Sequence, residues 1–203
     1  MAAIPIWHIH GKEGMVGSGF LARSMGKLGF YTAAHLLTKK SLSTTDWTSW
    51  APILTAKIGP GRETAMELFS GPRAEPTPMF AFINTGEIVA DMICLRSPAV
   101  LALAKHYEVL QFAEDTTTPG LPIVCEGYPH RQETWPSSEP SRIAGTAKRI
   151  AHDGHILLST DMIAEEGFSG GPVTDQAGNL RGMLIGSDHD GTRIVPQTVL
   201  RYL

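Results

Sequence analysis

Along the first half of the chain, short apolar runs with a two-residue rhythm alternate with turn residues. Ile4, Ile6 and Trp7 to Ile9 form a first run that reads as a strand. Gly17 to Ala22 follows, then a turn near Gly26 and Gly29, then Phe30-Tyr31-Thr32, a strand–turn–strand pattern. Further β-like runs occupy residues 50–58, 66–69, 79–83 and 88–95. The stretch 97–107, with Ala99, Leu101, Ala102, Leu103 and Ala104, suits a short helix or an extended connector, and the acidic, Thr-rich residues 114–119 read as an exposed loop.

The second half resumes with a strand over 121–126 and a long polar loop over 127–141. Strand candidates follow at 142–151, 155–160, 171–174, 180–186 and 192–195. The tail from Pro196 to Leu203 suits a short terminal helix, because proline is tolerated in a first helical turn. No internal repeat or low-complexity tract is visible. The pattern predicts an all-β chain with two sets of about six strands, divided near the 114–119 loop into 1–115 and 116–203.

Composition agrees with that reading. The 203 residues are 42% hydrophobic and 18% charged, enough for a packed core. Twenty-one glycines and 14 prolines suit many tight turns better than a helical bundle. The formal charge of −3, with no block of five like charges, offers no footprint for nucleic acid. Cys94 and Cys125 cannot build a disulfide framework, and free buried thiols are the expected state. The first 12 residues lack a charged segment followed by a long apolar run, and no stretch has the length of a membrane span. A cytoplasmic, non-membrane protein is the expectation if Met1 is the natural start.

Three segments carry candidate chemistry. In Gly167-Phe168-Ser169-Gly170-Gly171-Pro172, a serine is flanked by glycines. A hydroxyl becomes a useful nucleophile on a tight, exposed turn where backbone N–H groups converge on the carbonyl being attacked. Glycines permit that turn and let a substrate come close. In Phe30 to Leu37 a strand-like run ends in Ala33-Ala34-His35, and the small neighbours leave the imidazole room to face a cleft. In Ile88 to Leu95, Asp91 stands inside an apolar strand, where a carboxylate needs a partner. A histidine N–H is a suitable one, since the carboxylate then fixes the tautomer and steadies the imidazolium. Each segment alone also fits a bland role: a surface turn, one histidine among eight, an acid at a strand edge. Asp46, in a polar Ser/Thr run, is a second candidate acid that fits a loop better.

Together they occur in the order His, Asp, Ser, 56 and 78 residues apart. That order, Thr32-Ala33-Ala34-His35 and the Gly167–Pro172 motif resemble the chymotrypsin-like serine peptidases, the handiest example of such a triad. Gly17-Ser18-Gly19-Phe20-Leu21 resembles the strand before the histidine in the high-temperature-requirement and glutamyl-endopeptidase groups of bacterial trypsin-like peptidases. Gly127-Tyr128-Pro129 resembles their glycine-x-proline turn, 179–186 the strand bordering their cleft, and 192–196 their closing strand.

The resemblance implies two six-stranded Greek-key barrels with the cleft between them and a short C-terminal helix. It implies that His35 is the general base, Asp91 its orienting acid and Ser169 the nucleophile, with the N–H groups of Gly167 and Ser169 as oxyanion hole. Ile163 and Ala164 would floor the specificity pocket, and Ile185, Gly186 and Ser187 would wall it. None carries a charge, so a small or medium apolar residue is expected before the cut. No cofactor or metal is implied, and His8-Ile9-His10 and Asp188-His189-Asp190 read as a strand and a turn. Protein or peptide substrates follow. Phe168 departs from the animal trypsins, where an aspartate there pairs with a released N-terminal amine, and 1–4 lacks their Ile-Val-Gly-Gly end. The oxyanion loop is therefore either permanently ordered or ordered by substrate or an activating partner protein. Two other readings stay open: a catalytically silent binding module on this fold, and a viral or phage polyprotein-processing protease.

Overall fold

The computed structural model describes residues 1–10, 13–38, 45–59, 61–85, 88–130, 136, 139–188 and 191–203. The first lobe begins with β1 (Ala3–His10), β2 (Glu13–Ser24) and β3 (Lys27–Thr32), joined as an antiparallel meander. The β2–β3 turn holds Met25 and Gly26, at φ of 48° and 77°, the pair of positive values that a two-residue hairpin needs to follow strand twist. Next come β4 (Ile53–Gly59), β5 (Arg62–Glu67), the two-residue strands β6 (Phe69–Ser70) and β7 (Thr77–Pro78), β8 (Phe80–Thr85) and β9 (Ile88–Leu95). Helix α1 (Pro98–Leu103) starts at a proline, as the tail of the apolar run allows, and β10 (Val109–Gln111) then lies parallel to β2.

The second lobe comprises β11 (Pro122–Gly127), β12 (Ser141–Ile150), β13 (Ile156–Thr160), β14 (Pro172–Asp175), β15 (Leu180–Asp188) and β16 (Gly191–Pro196), followed by α2 (Gln197–Leu200). These six strands close into a barrel in the order β11-β12-β13-β16-β15-β14. Closure leaves no ladder edge exposed. Inward positions on its strands supply one core, with Ile123, Cys125, Ile143, Leu158, Val173, Leu184 and Ile194.

The first lobe uses the same connectivity: a three-strand meander, the third strand paired with the last, the first with the fourth. Its ladder runs β5-β4-β1-β2-β3-β9-β8 and is not joined between β5 and β8. There, the short antiparallel pair β6–β7 and a hydrogen bond from Met79 N–H to the Leu68 carbonyl (2.8 Å) span the gap. With β10 the sheet counts eight strands, where the sequence pattern suggested six. The two-lobed, mostly β architecture with a short C-terminal helix is the one the resemblance implies. Pro196 sits one residue outside that helix, as its N-cap, in an extended conformation.

The lobes are tied along the β10 segment. Ala113 N–H donates to the Leu180 carbonyl at 3.0 Å. Arg181, almost fully buried, pairs with Asp175 at 2.7 Å and with Asp115 at 2.9 Å. Helix α2 returns to the first lobe: Ser24 Oγ donates to the Arg201 carbonyl at 2.8 Å, Arg96 donates to the Leu203 carbonyl, and Leu200 and Leu203 join the first core. Cys94 and Cys125 are free and buried, and burial pushes both thiols up, Cys125 to about 12 with help from Asp161. Neither has thiolate character at neutral pH. Among the described residues no helix is long and apolar enough to cross a membrane.

Candidate active site

The histidine comes from the turn that ends β3. Thr32, Ala33 and Ala34 are fully buried, and a short 3-10 turn, Ala34–Leu37, follows and carries His35. The nucleophile turn approaches this backbone closely: a Cβ on Gly170 would sit 3.1 Å from Ala33 N, 2.5 Å from Thr32 Oγ1 and 2.1 Å from the Ser18 carbonyl, which requires glycine at position 170. The turn is also pinned from behind, where His8 Nε2–H donates to the Leu36 carbonyl. His8 lies on the buried parity of β1 with Ile4 and Ile6, which makes the His8-Ile9-His10 segment the strand that was expected. The side chain of His10, like Asp188-His189-Asp190, lies outside what the structure describes.

Asp91, on β9, holds His35 twice. Its Oδ2 is 2.7 Å from His35 Nδ1, and its Oδ1 accepts the His35 backbone N–H at 2.8 Å. The two bonds fix both the ring and the backbone that bears it, and they place the proton on Nδ1, leaving Nε2 as the basic nitrogen. Both side chains are about 30% exposed, so the pair faces a cleft rather than the core. Asp46 lies elsewhere: its Oδ1 accepts from Thr48 Oγ1 at 2.6 Å in a separate turn.

Ser169 stands in the turn before β14. Its Oγ donates to the Ile185 carbonyl at 3.5 Å, a long bond, and no hydrogen bond joins it to His35 among the described residues. Catalytic hydrogen bonds are often long in an unliganded site and tighten with substrate.

The backbone around Ser169 shows a consistent polarity. In a trans peptide the C=O and N–H point in opposite directions. The Glu166 carbonyl accepts from His130 N–H at 2.8 Å, which turns the Gly167 N–H the other way. The Phe168 carbonyl accepts from Gly171 N–H at 2.9 Å, which turns out the Ser169 N–H. Neither the Gly167 nor the Ser169 N–H has a hydrogen-bond partner among the described residues. Two unsatisfied donors on either side of Phe168, next to a serine hydroxyl, are a candidate site for an anionic oxygen. Gly167 adopts φ of 96°, and a Cβ there would lie 2.1 Å from the Tyr128 carbonyl, so only glycine fits.

Phe168, which cannot form an ion pair, is 2% exposed and packs in the second core. A Cβ on Gly127 would meet its ring at 2.6 Å, which gives the Gly127-Tyr128-Pro129 turn its physical role as the shelf beneath the nucleophile loop. Of the residues assigned to a specificity pocket, Ile163 is 79% exposed and Ala164 packs against the second core. Ile185 leans on the first core, Gly186 has open space where a Cβ would be, and Ser187 Oγ lies 3.0 Å from Thr192 Oγ1. Among the described residues no cluster of His, Cys, Asp and Glu could hold a metal ion. Ser18 and His130 escaped sequence reasoning because their partners are backbone groups of distant segments. His8 was within reach through its strand parity.

Solved structures share this architecture. The structure superimposes on the serine endoprotease from Yersinia pestis with a TM-score of 0.60 at 15% identity, over 99% of this chain and 60% of that one. It matches the active form of the Rv3671c protease from M. tuberculosis with a TM-score of 0.57 at 16% identity, over 96% of this chain and 75% of that one. The MamO protease domain from Magnetospirillum magneticum gives 0.56 at 15% identity, over 100% and 95%. At such identities the likeness establishes the fold, and this chain spans about three-fifths of the Yersinia protein. No curated protein matches the sequence significantly. The sequence profile of the trypsin-like peptidase domain, however, matches residues 17–183, most of the chain, and the protein therefore belongs to the trypsin-like peptidase family.

Proposed function

We propose that the chain is a serine endopeptidase that cleaves peptide bonds through an acyl-enzyme. His35 Nε2 takes the proton from Ser169 Oγ as the hydroxyl attacks the scissile carbonyl, then returns it to the leaving amine. Asp91 holds His35 in the required tautomer and stabilises the imidazolium, and the Gly167 and Ser169 N–H groups receive the oxyanion. One observation supports this reading most: Asp91 bonds both the ring and the backbone of His35, while the nucleophile turn, whose Gly170 approaches Ala33, leaves two open donors at Gly167 and Ser169. The transfer requires Ser169 Oγ to leave its long bond to the Ile185 carbonyl and turn to His35.

The anchoring of Phe168 in the second core supports a nucleophile loop ordered without an N-terminal ion pair. An activating partner protein remains part of the proposal as the agent that would raise turnover, not as the builder of the loop. Cleavage after small or medium apolar residues follows from the uncharged Ala164, Ile185, Gly186 and Ser187. A peptide library showing strong preference for Lys, Arg or Glu would refute that preference.

The test is a fluorophosphonate probe on the purified chain, read by intact mass against Ser169→Ala. One adduct on the parent and none on the variant is the expected result. An unlabelled parent would favour the catalytically silent binding module.

A further inference from the structure

The two lobes meet at Ser18, on β2, a residue with no accessible surface. Its backbone N–H donates to the Ser169 carbonyl at 2.8 Å. Its hydroxyl donates to the Gly167 carbonyl at 2.7 Å and accepts the Tyr128 N–H at 3.0 Å. Its own carbonyl accepts Thr32 Oγ1–H at 2.8 Å, three residues before His35. One hydroxyl has one proton to give and lone pairs to receive, so this arrangement satisfies it fully.

We infer that Ser18 is a positioning residue for the oxyanion donors, fixing the Gly167–Ser169 backbone from the first lobe; this rests on the peptidase reading above. The carbonyls of Gly167 and Ser169 are the two groups on either side of Phe168, and Ser18 grips both. Those carbonyls belong to the 167–168 and 169–170 peptide planes, so Ser18 fixes the planes that alternate with the two bearing the donor N–H groups, which His130 N–H and Gly171 N–H hold through the Glu166 and Phe168 carbonyls. Because Ser18 also holds Thr32, the same residue sets the distance between the loop and the turn that bears His35. A side chain that only filled space would need no hydroxyl here. Alanine at position 18 would remove the bonds that Ser18 Oγ makes to the Tyr128 N–H and the Gly167 carbonyl while keeping the β2 backbone bonds.

The test compares the parent with Ser18→Ala by two measurements. The first is the second-order rate constant for fluorophosphonate labelling, counted per site that finally reacts. It is expected to fall about 10- to 100-fold, somewhat less than removal of an oxyanion donor itself. The second, independent of activity, is amide hydrogen exchange. Exchange over 165–171 is expected to rise at least about tenfold, with β13 unchanged as an internal measure of global stability.

An unchanged rate with unchanged exchange overturns the inference, as does a rise in β13 equal to that in the loop, which would mark a merely structural role. A parent that does not label defeats the peptidase reading instead. Exchange then decides the role of Ser18 alone: a rise confined to 165–171 upholds it and no rise overturns it.

Discussion

The two lobes share a connectivity and differ in how they close. In the second, six strands complete a ring of hydrogen bonds, and aliphatic side chains with one phenyl group, Phe168, suffice to fill it. In the first, the main ladder stops between β5 and β8, only the two-residue pair β6–β7 bridges them, and aromatic side chains pack around that junction. Trp47 lies 5.0 Å from Phe82 between ring centroids, Trp50 stacks on Phe80 at 5.5 Å, and Phe69 packs edge-on to Phe80 at 5.5 Å. Large rings bury much area per residue and hold geometry at low entropic cost, which is what a sheet without its last ladder needs. The comparison separates two ways of building a rigid wall. It also separates the chemistry: the aromatic-sealed lobe carries His35 and Asp91, and the closed barrel carries Ser169 and its open donors.

If the lobes act as halves of one site, removing either half should cost as much as removing both. His35→Ala and Ser169→Ala are each expected to lower turnover by about 10⁶-fold, and the double variant no further, by non-additivity of residues that act as a unit. Steady-state assays on the three variants check this, and additive losses would mean that the lobes act separately. Asp91→Asn keeps the shape of its contact with His35 but favours the wrong tautomer. A fall of about 10³- to 10⁴-fold is expected, with thermal stability nearly unchanged. Loss of His35 backbone order in the variant's structure would mean that the second bond, to the His35 N–H, is the larger contribution.

The difference in closure predicts unequal stability. Trp50→Ala should destabilise by about 3–5 kcal/mol. Hydrogen exchange in that variant should show β4, β5 and β8 opening before any strand of the barrel. Simultaneous opening of both lobes would contradict the separation.

The smallest effect is a pH dependence at the tie between lobes. Burial pushes the Asp175 carboxyl up, but hydrogen bonds from Arg181 and Asn179 outweigh it and leave the group below its ordinary value. A depressed carboxyl stabilises the fold above the unfolded value of about 3.9 and loses that contribution as pH falls through the folded value. Asp175→Asn should therefore be less stable than the parent at neutral pH, with the gap narrowing below about pH 4. Melting curves across that window check it, and a constant gap would remove the linkage.

The candidate site residues stood out in the sequence because the chemistry restricts residue types: a serine among glycines, a histidine after a strand, an acid where apolar residues surround it. The apolar run also located β1, whose parity with Ile4 and Ile6 buries His8. The break in the first lobe was not legible, since Trp47, Trp50, Phe69, Phe80 and Phe82 are scattered over 36 positions with no local period. The oxyanion loop was half legible. Gly167 signalled the turn, but the bonds that aim it come from His130 N–H and from Ser18, and a backbone N–H leaves no mark in a sequence. The glycine after Ser169 was visible, yet the backbone it must approach, Ser18 and Ala33, belongs to the other lobe.

The most direct test of the joint site is the crystal structure of the fluorophosphonate-treated chain. The account predicts phosphorus bonded to Ser169 Oγ, with the phosphonyl oxygen within about 3.1 Å of both the Gly167 and Ser169 nitrogens and His35 still bonded to Asp91. Phosphorus on another side chain, or a phosphonyl oxygen turned away from both nitrogens, would contradict it.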